Sequence, residues 1–362
     1  MNNKSGIKNL LNFSSTQTNR FGWIDYAKGI AIILVVYRHV GFGLKSNGAN
    51  VNQWILDLND MFYSFRMPLF FILSGLFFGK SMTKRGTGGF ILTKVNTLLY
   101  PYILWSILQI TLQMVFHEVA HAQRGVADYL NIIIQPRANN QLWYLFALFN
   151  VTLLYLFMSK LFKNNNYWQL LLAVIFIALA PFANRISTFY DIMIHYIFFC
   201  LGNLAAPYFF DEKIQHKLSS GYALLMLLPV FISLQYYFLY HQDMNLFMYA
   251  FIAVVGSLFT IMLSFLLDKH KWLPFLRITG HYSLYIYVLH VPIVSFIRYF
   301  LLRNFTLSNI PLLMIVLISL AVFLSIITYR LCRMLKLNFL FIGPFKQKTK
   351  AQFDGETLNP TA

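Results

Sequence analysis

The segment "IDYAKGIAIILVVYRHV", residues 24 to 40, begins as an interfacial helix and becomes a membrane span, yet it carries Asp25, Lys28, Arg38 and His39. An ionisable side chain near the bilayer centre costs at least ~2.5 kcal/mol, so such residues in a span point to function. Helix geometry sorts them. Lys28 and His39 are eleven positions apart, about 1100° of rotation and ~16 Å of rise, and therefore share one face. Asp25 falls one turn below Lys28, where it can pair with it, but at ~21 Å it is out of reach of His39. Arg38 points about 100° away, toward another helix or an aqueous cavity. A basic group at one mouth and a deep histidine on the same line fit a channel for an extended anionic molecule whose reactive end reaches the membrane interior. A neutral imidazole there is suited to act as a general base near pH 7.

The next span supplies further candidates. It returns from a turn near residues 45–53, which brings Asp57 and Asp60 back to about the depth of His39. A carboxylate there would hold one imidazole nitrogen and leave the other free; symmetry about the turn favours Asp60. Arg66, in "FRMPLFFILSG", lies about twelve residues into its span, where a guanidinium must face a partner, water or a ligand phosphate. Pro68 and the Ser74-Gly75 pair loosen that helix, which membrane helices tolerate when other groups re-satisfy the backbone.

These residues need membrane helices to position them, and the composition supplies them. Of 362 residues, 58% are hydrophobic, 18% aromatic and only 11% charged. A soluble protein of this length carries roughly a quarter charged residues. The expected fold is an all-α integral membrane protein of ten spans, each of about 20 mostly apolar residues. They fall near 27–44, 54–79, 95–117, 141–162, 167–183, 190–210, 221–241, 244–267, 282–302 and 309–332. Residues 1–26 would form a cytoplasmic N-terminal segment, 27–335 the transmembrane domain and 336–362 a cytoplasmic tail. Most of the 29 Lys and Arg fall on the side that bears both termini, which places those termini in the cytoplasm. The net charge of +17 is thus a topology signal assisted by anionic membrane lipid, with no nucleic-acid motif beside it. The polar first 20 residues do not resemble a signal peptide, so the first span is expected to direct insertion. Cys200 and Cys332 both lie in apolar runs and offer no disulfide framework.

Four stretches resemble the membrane-bound acyltransferase family 3, especially its sugar O-acetylase branch of fucose 4-O-acetylase-like proteins. They are "DYAKGIAIILVVYRH", "FRMPLFFILSG", "LWYLFALF" at 142–149 and "ITGHYSLYIYVLHVPI" at 278–293, in the family's order across most of the chain. The resemblance implies a ten-helix enzyme of the bacterial cytoplasmic membrane. It would move an acyl group, usually acetyl, from acyl-CoA to a hydroxyl of a cell-surface glycan or glycolipid precursor, with no metal. His39 corresponds to the family's catalytic histidine, either deprotonating the acceptor or taking the acyl group itself. Lys28 corresponds to the basic residue that meets the CoA phosphates, in a donor set with Lys94, Arg38 and Asp25. A pantetheine arm of ~18–20 Å matches the Lys28–His39 separation. Arg66, Arg38 or His290 would stabilise the oxyanion, and Trp143 and Tyr144 would stack on sugar rings, with His290 joining them on the acceptor side. Three positions depart from the family pattern: Arg66 replaces a histidine, Arg38 a glycine, and Thr97 the second of a basic pair of which Lys94 remains.

Two other readings compete. A glycolipid exporter or flippase would also need ten spans and buried charge, but no internal repeat of the transporter kind is visible. "HEVAH" at 117–121 has the spacing of a zinc metalloprotease motif, without a third ligand in motif-like context. The sequence leaves room for an oligomer.

Overall fold

A computed structural model describes residues 21–116, 124–304 and 309–345, and every regular element among them is helical. In chain order the α-helices are α1 (Gly22–Ser46), α2 (Gln53–Met61), α3 (Tyr63–Leu76), α4 (Phe78–Lys94) and α5 (Tyr100–Val115). There follow α6 (Trp143–Leu161), α7 (Asn166–Leu179), α8 (Ser187–Phe209), α9 (Glu212–Leu218) and α10 (Gly221–Tyr240). The series ends with α11 (Leu246–His270), α12 (Pro274–His281), α13 (Ser283–Asn304) and α14 (Ile310–Met334). A π-helical turn, Val95–Leu99, joins α4 to α5, and 3₁₀ turns at Val126–Ile132 and Pro136–Leu142 precede α6. Several starts are written locally: Asn165, Asp211, Ser220, Asn245 and Asn309 each accept a backbone N–H of the helix they open.

Among the described residues, nine helical segments are long and apolar enough to cross a membrane. They correspond to nine of the ten expected spans. The exception is the second, 54–79, which is divided at Phe62 into α2 and α3, each too short to qualify. The division follows from composition: the first half carries Asp57, Asn59 and Asp60, and only from Met67 to Leu73 is the segment continuously apolar. Exposed apolar side chains such as Leu171 and Val174 on α7, and Leu225 and Met226 on α10, are what lipid-facing helices present.

The chain forms two compact units. The first comprises residues to Phe70, Gln113–Gln123 and Phe210–Leu337. Its centre is α1, which packs against α2 and against α11 to α14. Where α1 meets α12 the backbones touch. A Cβ on Gly29 would lie 2.0 Å from the Leu276 carbonyl oxygen, and one on Gly280 would lie 1.6 Å from that of Asp25. Only glycine fits there, as at other close crossings of membrane helices. Tyr37 donates to the Ile55 carbonyl at 2.8 Å and fixes α2 on α1.

The second unit comprises Phe71–Leu112, Arg124–Phe209 and the chain from Asn338 onward. Its glycine crossing joins the end of α3 to α8, with Gly75 on the Phe199 carbonyl and Gly202 on that of Ile72. The stretch 338–345, the first part of the expected tail, is docked. Asn96, in the π turn, donates to the Phe345 carbonyl at 2.7 Å and accepts from Gly343 through its own carbonyl at 2.9 Å. Trp105 donates to the Leu340 carbonyl at 2.7 Å.

Candidate active site

In the first unit the candidate residues converge on the outer half of α1. His39 is half-buried, and its ring stands edge-to-face against that of His290, with centroids 5.1 Å apart. Neither ring nitrogen of His39 is hydrogen-bonded to a described residue. His290 is fully buried, and its Nδ1 lies 2.9 Å from the Ile286 carbonyl. A carbonyl only accepts, so Nδ1 carries the proton and Nε2 of the neutral ring holds a lone pair. That nitrogen has no hydrogen-bond partner among the described residues. In this form His290 offers an acceptor, not a donor, at Nε2.

Two arginines stand beside this pair. Arg66 is 2% exposed and donates through one terminal nitrogen to the Leu34 carbonyl at 3.2 Å and to Asn59 Oδ1 at 3.0 Å. Asn59 Nδ2 donates onward to Asp60 Oδ1 at 2.7 Å, and that oxygen lies 3.8 Å from an Arg38 terminal nitrogen. Both guanidiniums also stack over Tyr63, at 4.6 Å for Arg66 and 4.7 Å for Arg38, and Arg38 covers Phe42 at 4.6 Å. The expectation that Asp60 orients His39 is therefore not met: its carboxylate is occupied by Asn59 and Arg38. Asp57 accepts from Gln53 on the helix surface. An arginine has five N–H donors, and the network consumes few of them. The arrangement is a neutral imidazole pair with two cations held in fixed orientation nearby, suited to developing negative charge.

Asn59, the uncharged member of the network, has no ionisable group to mark it in the sequence. It lies on α2, across the break at Phe62 from Arg66 on α3. Its burial as an amide, at 3% exposure, is tolerable only with partners on both sides.

Of the remaining expected residues, Asp25, Lys28 and His290 belong to the first unit and Lys94, Trp143 and Tyr144 to the second. Asp25 is buried and Lys28 half-buried in the first two turns of α1, at the α12 crossing. Lys94, half-buried at the end of α4 in the second unit, sits over the Phe90 ring at 5.4 Å. Trp143 and Tyr144 open α6 in the same unit. Tyr144 is buried, edge-on to Phe71 at 5.3 Å, a packing residue as much as a contact one. Trp143 is half-buried and lies under the Arg137 guanidinium at 4.6 Å. Arg137 in turn pairs with Asp191, Nε to Oδ1 at 2.8 Å. His195, one turn beyond Asp191, donates through Nδ1 to the Asp191 carbonyl at 2.7 Å and stacks on Phe71. Arg137 stands 54 positions before Asp191, and only tertiary packing joins it to Asp191 and His195.

This second cluster is poorly satisfied. Both amide atoms of Asn139, Oε1 of Gln141, Oδ2 of Asp191 and Oγ of Ser187 are buried without a hydrogen-bond partner among the described residues. Each such group costs ~1–3 kcal/mol. The "HEVAH" stretch lies outside the described residues. Among those described, no group of three or more His, Cys, Asp or Glu gathers closely enough to hold a metal ion.

Fold and site together define a multi-pass membrane protein with a histidine pair flanked by arginines. The chain belongs to acyltransferase family 3, whose model, described as an acyltransferase domain, matches residues 21–330. It is 29% identical to the nodulation protein NolL of Sinorhizobium fredii (strain NBRC 101917 / NGR234) over 197 residues, 53% of this chain and 50% of that protein. It is 28% identical to the nodulation protein NolL of Mesorhizobium japonicum (strain LMG 29417 / CECT 9101 / MAFF 303099) over 206 residues, 57% of this chain and 53% of that one. The chain thus spans about half the length of the curated relatives it matches. No solved structure matches it at a significant level.

Proposed function

We propose that the protein transfers an acyl group, in the first instance acetyl, from acyl-CoA to a hydroxyl of a cell-envelope carbohydrate. The family supports acyl transfer. The observation that carries the site assignment is a histidine with both ring nitrogens unengaged, edge-to-face with a second imidazole and beside two anchored guanidiniums. Lys28, with Asp25 beside it, is taken to meet the donor's phosphates at the mouth of α1, and Lys94 is proposed to belong to the same donor set. The topology inferred has both termini in the cytoplasm, where acyl-CoA is made; α2 and α3 together would complete a tenth crossing of the bacterial cytoplasmic membrane.

In the proposed reaction the acceptor O–H proton passes to His39 as its oxygen attacks the thioester carbon. The C=O electrons move onto oxygen, where Arg66 and Arg38 present N–H donors. Collapse breaks the C–S bond, and the imidazolium returns its proton to the departing thiolate. In the covalent variant a His39 nitrogen attacks the thioester carbon, the C–S bond breaks, and the thiolate takes the imidazolium proton to leave as CoA thiol. The acceptor oxygen then attacks the acyl-imidazole as its proton passes to the bare Nε2 of His290, the C–N bond breaks, and His290 returns that proton to the released His39 ring.

Transfer of radiolabelled acetyl from acetyl-CoA in membranes tests this reading. Label should appear in a glycan or glycolipid fraction with wild type, and His39→Ala should reduce it by ~10²–10⁴-fold. Full transfer by His39→Ala would sink the scheme. Movement of a glycolipid across the membrane without acyl transfer would favour an exporter.

A further inference from the structure

The unsatisfied polar atoms of the second unit are concentrated, not scattered. Five of them fall on four residues, Asn139, Gln141, Ser187 and Asp191, in two short stretches that the structure ties together. The Gln135 side chain accepts from the Ser187 N–H at 3.2 Å, and Arg137 pairs with Asp191, so residues 135–143 lie along the first turns of α8. Ser187, Asp191 and His195 succeed one another every four residues and so share a face of that helix. Asn140 holds φ at 56°, a left-handed conformation that turns the chain between Asn139 and Gln141. Asn139 is 4% exposed and Gln141 2% exposed. Gln141 Nε2 reaches Gln109 Oε1 at 3.4 Å, but helix packing alone gives no reason to bury its Oε1 and both amide atoms of Asn139 without partners.

The chemistry of the orphaned atoms selects a ligand class. Three are pure acceptors: Asn139 Oδ1, Gln141 Oε1 and Asp191 Oδ2. Asn139 Nδ2 is a donor, and the Ser187 hydroxyl can do either. With its Nδ1 proton committed to the Asp191 carbonyl, His195 has only a lone pair to offer at Nε2. A carboxylate or phosphate would bring further acceptors to a surface already short of donors. Within the cluster Arg137 is matched by Asp191 at 2.8 Å, and Arg124, which donates to the Ala138 carbonyl, is matched by Asp128 at 2.9 Å. An ammonium ligand would meet the Arg137 guanidinium. Hydroxyl groups, which donate and accept at once, satisfy the set, and the half-buried Trp143 ring offers an apolar wall beside them.

We infer that Asn139, Gln141, Ser187 and Asp191 form a binding site for a neutral, polyhydroxylated ring, an uncharged sugar residue. The inference rests on the acyltransferase reading in taking that sugar to be part of the acceptor, and it concerns binding within the second unit alone.

The experiment is saturation-transfer NMR on the full-length protein in nanodiscs. The probes are the methyl glycosides of a hexose, a 6-deoxyhexose and an N-acetylhexosamine, with a hexose 6-phosphate as the charged comparison. At least one neutral glycoside should bind saturably, and the sugar phosphate more weakly. Asn139→Ala should weaken binding at least tenfold while its melting temperature stays level or rises, because the variant removes an unsatisfied amide. Gln141→Leu should behave alike, which guards against a folding defect in one variant. A merely structural asparagine would show the opposite, lower melting with binding intact, and would overturn the proposal. So would preferred binding of the phosphate, or no saturable glycoside binding by wild type. Acetyl transfer measured on the same preparation separates the two claims: transfer with no glycoside site defeats this inference alone, and glycoside binding with no transfer defeats the enzymatic reading alone.

Discussion

Two clusters, one in each unit, bury polar side chains in opposite ways. In the first, Arg66, Asn59, Asp60 and Arg38 form a chain in which each charged group has a partner, and what remains unengaged beside it is imidazole. In the second, Arg137 and Asp191 form an ion pair, and what remains unengaged is mostly neutral amide and hydroxyl. The contrast fits the two tasks proposed for them. A site that must respond to charge appearing during a reaction keeps its cations fixed in advance, because orienting them later would cost reorganisation. A site that must recognise an uncharged molecule keeps its charges neutralised and leaves hydrogen-bonding capacity open.

The comparison can be broken most decisively at Arg66. Arg66→Gln should lower kcat by ~10²–10³-fold if the guanidinium meets the oxyanion; an unchanged kcat would reduce it to a structural cation. Next in size is a pair of like substitutions with opposite expected signs. Asn59→Ala strands the Arg66 guanidinium and should cost ~1–3 kcal/mol of stability in a thermal or detergent-denaturation series, whereas Asn139→Ala should cost nothing. If both destabilise equally, the distinction between a satisfied and a waiting cluster fails. The smallest effect lies at Asp128, in the segment before α6. The Gly125 backbone N–H, and then the Arg124 side chain, hold its carboxyl below the usual aspartate range. A carboxyl with a lowered folded-state pKa adds stability above its ordinary pKa and loses it as pH falls through the lowered value. Asp128→Asn should therefore melt slightly lower than wild type at neutral pH, and the gap should close in strong acid.

Much of the first unit could be read from spacing, because helix periodicity converts sequence separation into geometry. The eleven-residue step puts Lys28 and His39 on one face of α1, and depth brings Asp60 and Arg66 toward that helix, where Asp60 meets Arg38 and Arg66 the Leu34 carbonyl. What spacing could not give was partner choice. Asp60 goes to Arg38 and Asn59, since a carboxylate beside a guanidinium and an amide is better satisfied than one beside a neutral ring. The second cluster was less legible: Arg137 and Asp191 are separated by all of α6 and α7, and only tertiary packing joins them. The break at Phe62 was hidden by the same hydropathy that revealed the other spans, since the polar half of 54–79 still averages apolar.

The glycine crossing sets one more property. Gly29 and Gly280 touch through their backbones, and His39 and His290 each lie ten residues beyond that point of contact. Ten residues of continuous helix carry His39 ~15 Å from Gly29, while the step from Gly280 to His290 passes the turn at Tyr282 between α12 and α13; both imidazoles are thus referred to one contact. That contact is main chain on main chain, which has no rotamers to sample. One residue inserted between either glycine and its histidine would turn that imidazole by about 100° and carry it ~1.5 Å along its helix, parting the pair without altering any side chain.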